Sequence, residues 1–542
     1  MSKGISSSDK NGNRINLVVD GVDVCVPEGT TVLDAAMRAG TEVPHYCYHP
    51  GLSSPAQCRL CLVEIEGTPK LMPSCTTTVA EGQVVHTASD SAKKMRQGVL
   101  EFYLINHPLD CPICDQSGEC DLQDFVFAEG RQHGRSTIAK RVIGRDDFGG
   151  DVLFYGDRCV MCTRCVRFME EKEEKPILTV VERGNRAVID TFFERGLEEA
   201  NWAGNVVDIC PVGALVSKDF LHKARAWDLE HTPSVCPNCS MGCNIEIHSR
   251  DNLVQRFKPR SNPEVNGYWL CDYGRGRYEW LNEEGRLERP SSENESKNPK
   301  TEDEWEVVLQ ELGGRLKECT GSVKAVLSPL CSNEDIGATL NLLKAIGGGD
   351  VVFRCPMKEE ELPLPGEKGL RRTRYLAPNV DGLVALGAVN VGNEEGFEGL
   401  DQVSQDTEVL IVVGDRLLDQ EGGFASEVGL VVYLGSHPCR ALEGADFLLP
   451  ITTLVEKDGT FVNCDGRLQR FSKALEGPPE SRPAWAVLDE LTAILRGSES
   501  YKSTEDAFNG LGKICESFSG VTYADIGSEG IQLEFEPSSV EG

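Results

Sequence analysis

The chain has 542 residues, with 86 Asp and Glu against 55 Lys and Arg, a formal charge of −31. Hydrophobic residues at 40% and charged residues at 26% exclude wholesale disorder and collagen-like or coiled-coil chains. No run approaches the roughly 18 apolar residues of a membrane span, and the acid excess excludes nucleic acid, whose phosphates need clustered Lys and Arg.

In chain order, Ile15 to Val26 alternates apolar and polar residues around Asp20-Gly21, which predicts a hairpin. Thr30 or Thr31 opens a short helix through Ala39, stopped at Gly40. Hairpin, helix and a Cys-bearing loop predict a small β-grasp unit. Ser91 to Asn106 reads as a helix with Met95, Val99, Phe102 and Ile105 near one face, delivering His107-Pro108 at its end. Residues 150–225 are dense in Cys and turns and read as a bacterial-type ferredoxin segment.

Asn282 to Glu304 loses almost all apolar residues and predicts a linker or an exposed loop. Thr301 and Glu304 then make a capping-box signal for a helix carrying Trp305, Val308, Leu309, Leu312 and Leu316. Strands are expected at Val323–Leu327, Val351–Phe353, Val409–Val413 and Val431–Leu434, alternating with helices such as Asn333–Ile346, a pattern for a parallel, doubly wound sheet. A last helix, Pro483–Leu495, precedes an acidic tail from Glu499, with nine acids and two bases, read as mobile, partner-facing or solubilising.

Of 22 Cys, sixteen precede residue 272. Residues 1–14 lack the apolar core of a secretory signal and the Arg-rich look of a transit peptide, so a reducing compartment is expected, where closely spaced cysteines read as metal ligands. The first set is Cys47, Cys58, Cys61 and Cys75, related to plant-type 2Fe-2S spacing with a longer first gap; a four-cysteine zinc site is the alternative. The second is His107, Cys111, Cys114 and Cys120. A lone His at a helix end is usually a cap, but three cysteines at these spacings turn it into a ligand that makes the cluster less negative. The third is Cys159, Cys162 and Cys165 with the remote Cys210-Pro211. A two-cluster ferredoxin needs further cysteines at 169, 200, 203 and 206; these are Met169, Ala200, Ala203 and Val206, so one cluster survives. The fourth is Cys236, Cys239, Cys243 and Cys271, with zinc again an alternative. Cys25, Cys319, Cys331, Cys355, Cys439, Cys464 and Cys515 are scattered and read as core or surface residues. No G-x-G-x-x-G follows a strand and no phosphate loop is present; Gly347-Gly348-Gly349 reads as a helix stop.

Pro44 to Cys75, His107 to Cys120, Cys159 to Cys165 and Cys236 to Cys271 closely resemble the large iron-sulfur subunits of bacterial respiratory complex I. The rear half, most visibly Ala445 to Gln469, resembles the molybdopterin oxidoreductase superfamily. The resemblance implies an α+β and α/β multidomain chain. Its expected parts are a 2Fe-2S β-grasp domain (13–91), a 4Fe-4S domain with one His and three Cys (92–135), a ferredoxin-like 4Fe-4S domain (150–225) and a 4Fe-4S domain of molybdopterin-oxidoreductase type (229–285). A truncated α/β domain (286–497) and the acidic tail (498–542) follow.

The resemblance further implies one 2Fe-2S and three 4Fe-4S clusters, with no flavin on this chain. Catalytic relatives carry a Lys two residues after the fourth Cys, where this chain has Tyr273; with 271 residues left after Cys271, the molybdopterin site is expected to be lost. The implied function is electron transfer from a flavin- and NADH-binding partner toward quinone-reducing iron-sulfur subunits. The implied location is the cytoplasmic side of the inner membrane, with the membrane reached only through the complex. A component of a NAD-linked molybdenum or tungsten formate dehydrogenase, or of a hydrogenase diaphorase, is the competing reading; in the formate dehydrogenase, Cys355 is the nearest candidate metal ligand.

Overall fold

The computed structural model describes residues 13–191, 196–292, 304–391, 406–416, 428–439 and 444–534, with Val403 and Leu442. Residues 293–303, with Thr301 among them, and the last eight residues lie outside the described residues. The chain forms two compact units: residues 1–229 with 267–272 and 364–369, and residues 230–266 with 273–363 and 370–542.

The first unit opens with strands β1 (Arg14–Val19) and β2 (Val22–Pro27), joined where Asp20 and Gly21 both take positive φ, 48° and 84°. That two-residue turn matches the right-handed twist of a hairpin. Helix α1 (Val32–Arg38) starts at Thr31, whose hydroxyl accepts from the Asp34 amide. Strands β3 (Leu62–Ile65), β4 (Met72–Pro73) and β5 (Gln83–His86) complete a five-stranded sheet in the order β2-β1-β5-β3-β4, with β1 and β5 parallel. Leu17, Val19, Val26, Val32, Leu33, Ala36, Val63 and Val85 close its core around Cys61 and Cys75.

Helix α2 (Asp90–Leu104) is capped by Ser89, and its expected apolar face is not the buried one. Ala92, Arg96 and Leu100 are buried, while Phe102 is 79% and Met95 44% exposed. Helix α3 (Asp121–Glu129) explains the rotation: Arg96 pairs with Glu129 at 2.5 Å and also donates to the Thr87 carbonyl. That double anchoring turns the Arg face inward. Met95, Val99, Phe102 and Ile105 instead line an open groove of about 790 Å³ with Glu101, Tyr103 and Arg135.

Beyond it, β6 (Arg145–Gly149), β7 (Val152–Tyr155) and a later β10 (Leu215–Ser217) form a small sheet. Between them lie α4 (Arg164–Glu171), the hairpin β8 (Leu178–Val181) with β9 (Val188–Thr191), and α5 (Asn205–Asp208).

The second unit begins with an antiparallel meander, β11 (Glu230–Val235), β12 (Asn244–Arg250) and β13 (Leu253–Pro259). Its centre is a seven-stranded sheet. The members are β14 (Ser291–Ser292), β15 (Val323–Leu327), β16 (Asp350–Phe353), β17 (Val389–Asn390), β18 (Val409–Val413), β19 (Leu430–Gly435) and β20 (Phe447–Pro450). They run in the order β14-β20-β19-β18-β15-β16-β17, parallel except for β14. β18 and β19 are buried throughout, which is why they read as continuous apolar runs rather than alternating ones.

Two expectations for this unit need correction. The stretch from Asn282 is not a free linker where it is described: Arg286 forms a two-pronged ion pair with Glu456, and Ser291-Ser292 pairs with Phe447 and Leu448. Nor is the stretch from Glu499 a free tail. After the helix Ala484–Arg496, a further helix Thr504–Leu511 buries Ala507, Phe508 and Leu511 in the main core. Ile531 and Gln532 then add a strand beside Arg467 and Leu468. Charge counting misled because the acids sit between the apolar anchors.

Candidate iron-sulfur sites

Cys47, Cys58, Cys61 and Cys75 are all buried, and their thiols meet: Cys58 hydrogen-bonds with Cys47, and Cys75 with both Cys47 and Cys61. The bond to Cys47, then burial, pushes the Cys58 thiol far up, whereas the bond to Cys75 pulls Cys61 down. The loop is held from below by α1, whose unsatisfied first amides, Val32 and Leu33, donate to the Thr77 and Ser74 carbonyls. Ala56 and Arg59, flanking Cys58, take the left-handed conformation at φ 53° and 57°. Four soft donors in contact in a dry loop suit iron and sulfide.

His107 ends the α2 segment, Cys111 starts a single 3₁₀ turn, and Cys120 is the residue before α3. The His107 imidazolium is disfavoured, its pKa falling to about 4 through burial and then the nearby Lys140 and Arg158 charges, so the ring is neutral as a ligand must be. Burial lifts Cys120 to about 11 against the amides of Gln123 and Leu122, which donate to its sulfur. Arg225 ties the loop by donating to the Cys114 and Pro112 carbonyls at 2.7 and 2.5 Å.

Cys159, Cys162, Cys165 and Cys210 line one small cavity with Phe154, Ile189, Val212 and Leu215. Met161 and Thr163, between the cysteines, are left-handed at φ 51° and 59°, a cost that a bare loop has no reason to carry. Burial raises Cys159 and Cys210 to about 12, opposed at Cys210 by the amides of Val212, Leu215 and Ala214. Where a second ferredoxin cluster would sit, Met169 and Val206 are fully buried and Ala203 nearly so.

In the second unit, the loop of Cys236, Cys239 and Cys243 is closed by the Cys236 amide donating to the Cys243 carbonyl at 2.8 Å. Burial raises Cys236 to about 12, and the Asn238 amide and side chain oppose it. The Ala445–Gln469 motif grips this loop: Cys464 N donates to Ser240 O, Asn463 Nδ2 to Met241 O and Gln469 Nε2 to Gly242 O. Gly242 is left-handed (φ 62°), and a Cβ there would meet Gln469 Oε1 at 2.8 Å. Cys271 is buried and lies on the 267–272 segment of the first unit. Tyr273 lines a cavity of about 390 Å³ with Arg277, Ser328, Asp415 and Arg416 at the carboxyl ends of β15 and β18, and the Arg277 guanidinium lies 4.2 Å over its ring.

Sequence reasoning missed the residues that connect the sites. Tyr46 packs edge-on against Tyr103 at 5.2 Å and near Phe125 at 5.7 Å, linking the first loop to the helices bearing the second. Gly213 follows Cys210-Pro211, and a Cβ on it would sit 2.2 Å from Cys114 Sγ. Arg164 and Arg167, at i and i+3 of α4, cross to the first loop. Their interleaving with Cys162 and Cys165 was the available signal.

Thiol sets of this kind, buried apart from exposed Cys111 and half-buried Cys159 and Cys210, on ferredoxin-like elements define an iron-sulfur protein, and known families match in the same order. The 2Fe-2S iron-sulfur cluster binding domain matches residues 12–90, and the NADH-ubiquinone oxidoreductase-G iron-sulfur binding region residues 96–135. The ferredoxin-like domain of NADH-quinone oxidoreductase subunit 3 matches residues 149–216. The molybdopterin oxidoreductase Fe4S4 domain matches residues 229–283, and molybdopterin oxidoreductase residues 401–494.

The G subunit of NADH-quinone oxidoreductase from Rickettsia felis is 40% identical over 62% of this chain and 50% of its own length. Its Rickettsia bellii counterpart is 40% identical over 89% of this chain and 86% of its own. This chain thus spans about half the length of the first relative and most of the second. A solved NAD+-reducing [NiFe]-hydrogenase chain is 29% identical over 39% of this chain and 90% of its own, with a TM-score of 0.36, too low to carry an argument. The chain belongs to the family of NADH-quinone oxidoreductase G subunits.

Proposed function

We propose that this chain carries electrons within an NADH:quinone oxidoreductase, between a flavin- and NADH-binding partner and quinone-reducing iron-sulfur subunits. The observation that carries the reading is the coincidence of four sulfur-rich sites with four iron-sulfur family matches in the same order. The assigned ligands are Cys47, Cys58, Cys61 and Cys75 for a 2Fe-2S cluster. Those for three 4Fe-4S clusters are His107, Cys111, Cys114 and Cys120; Cys159, Cys162, Cys165 and Cys210; and Cys236, Cys239, Cys243 and Cys271. Such clusters supply one-electron transfer; the chain's own residues hold them, exclude water and aim amides at the sulfurs.

Exposed Leu109, Ile113 and Trp227 around the second loop support a docking face there for an electron-accepting partner. No helix among the described residues is long and apolar enough to cross a membrane; the proposed place is a peripheral arm on the cytoplasmic side that reaches the membrane through its partners. Tyr273 in the rear cavity supports a domain that has given up molybdopterin. Iron and acid-labile sulfide analysis of anaerobically purified protein tests the reading. About fourteen iron atoms per chain are expected; stoichiometric zinc with only one or two clusters would overturn it.

A further inference from the structure

Arg167 is 7% exposed on α4. Its guanidinium donates to the carbonyls of Cys47 and Ser53, in the first loop, and reaches the Cys162 carbonyl, in the third, at 3.5 Å. Cys162, Glu171 and Cys47 act on its charge in that order, and at Cys162 the Arg164 charge acts beside it. Among the described residues no carboxylate lies within ion-pair distance of it; Glu171, one turn on, is held instead by the Ser53 amide and hydroxyl. The surroundings repeat the connection. Gln57 Nε2 donates to Met161 O at 3.0 Å and Thr163 Oγ1 at 2.9 Å, and Arg164 donates to Tyr48 O at 2.7 Å and Ile209 O at 3.1 Å.

We infer that Arg167 is a positioning residue shared by two redox sites: one buried cation that locks the Cys47 and Cys162 loops together and raises the reduction potentials of both clusters. Adding an electron to either cluster adds negative charge, and a guanidinium does not deprotonate in proteins. An unpaired buried cation beside both therefore favours both reduced forms, with little solvent to screen it. The sharing has a consequence: the two potentials move together, so their difference, which sets the direction of transfer, is insulated from changes at this position.

The inference rests on the cluster assignment proposed above. Its test is an EPR-monitored redox titration of the cluster-loaded protein carrying Arg167→Met or Arg167→Lys. Arg167→Met should lower both midpoint potentials, each by about tenfold in the reduction equilibrium, or about 59 mV for one electron, and Arg167→Lys should restore them. If Arg167→Met loses both clusters, recovery of both at wild-type potentials in Arg167→Lys supports the inference, and failure to recover overturns it. Assembled clusters with unmoved potentials, or a shift confined to one of them, also overturn it. Absence of clusters at these cysteines in the wild type would instead sink the function proposed above.

Discussion

Under the assignment proposed above, His107 shows what one ligand would decide. A neutral imidazole in place of a thiolate makes the second cluster less negative, so His107→Cys should keep the cluster and lower its potential. An unchanged EPR spectrum and potential would show that His107 is not a ligand. Gly213 is decided by space alone. With Cys114 sulfur 2.2 Å from where a Cβ would stand, and a ligating sulfur unable to swing aside, Gly213→Ala should cost about 1–3 kcal/mol. It should also remove the second cluster's EPR signal while the first remains, and a normal spectrum would refute that. The glycine is not legible in the sequence, since it owes its role to a partner about a hundred residues away, and Arg167 shows there only as an arginine interleaved with Cys162 and Cys165. The ligands are legible because soft donors at two- and three-residue spacing carry their chemistry locally.

Among the elements, the helix Asn333–Ala345 is the most instrumented. Ser332 and Asp335 form a reciprocal capping box, and Asp335 also pairs with buried Lys457. Beside them Glu334 is wholly buried, accepting from Thr460 N at 3.0 Å and Oγ1 at 2.8 Å, and burial raises its pKa from 4.5 to about 7. A carboxyl raised on folding binds its proton more tightly in the native state, so its contribution is greatest below about pH 4.5 and is lost as pH rises through 7. Glu334→Gln, which keeps an acceptor for Thr460, should remove that loss and stabilise the protein by roughly 2–3 kcal/mol at pH 8. Denaturant titrations at pH 5 and pH 8 read the difference, and an equal effect at both would reject it. The helix Thr504–Leu511 offers a simpler test. Phe508 is 1% exposed in the main core, so Phe508→Ala should cost about 3–5 kcal/mol, where a free acidic tail would tolerate the change.

At the scale of the whole molecule, the function proposed above has electrons enter and leave through other proteins. Purified alone and loaded with clusters, it should be reducible by dithionite and show no NADH:ferricyanide activity; robust activity without flavin would refute the carrier reading. Removing the Cys236 loop's metal by Cys239→Ala should weaken assembly through lost metal-linked folding energy while assembled complex keeps near-normal activity per flavin. Full assembly with electron transfer abolished would put that cluster on the path instead.

The sequence by itself marked the four candidate ligand sets and their order, and determined the alternating strands of the rear sheet. Each is written in short-range spacing, and β15 and β18 fall on the residues their apolar runs mark. Tertiary structure decided the rest. Periodicity marks a face as apolar but not as inward, and the Arg96–Glu129 pair turned α2 so that Phe102 faces out. Acid counting cannot see that Ala507, Phe508 and Leu511 meet a core built mainly from residues far earlier in the chain. The Arg167 bridge between the two cysteine loops exists only because folding carries it to the carbonyl of a residue 120 positions away, a proximity that no local pattern encodes.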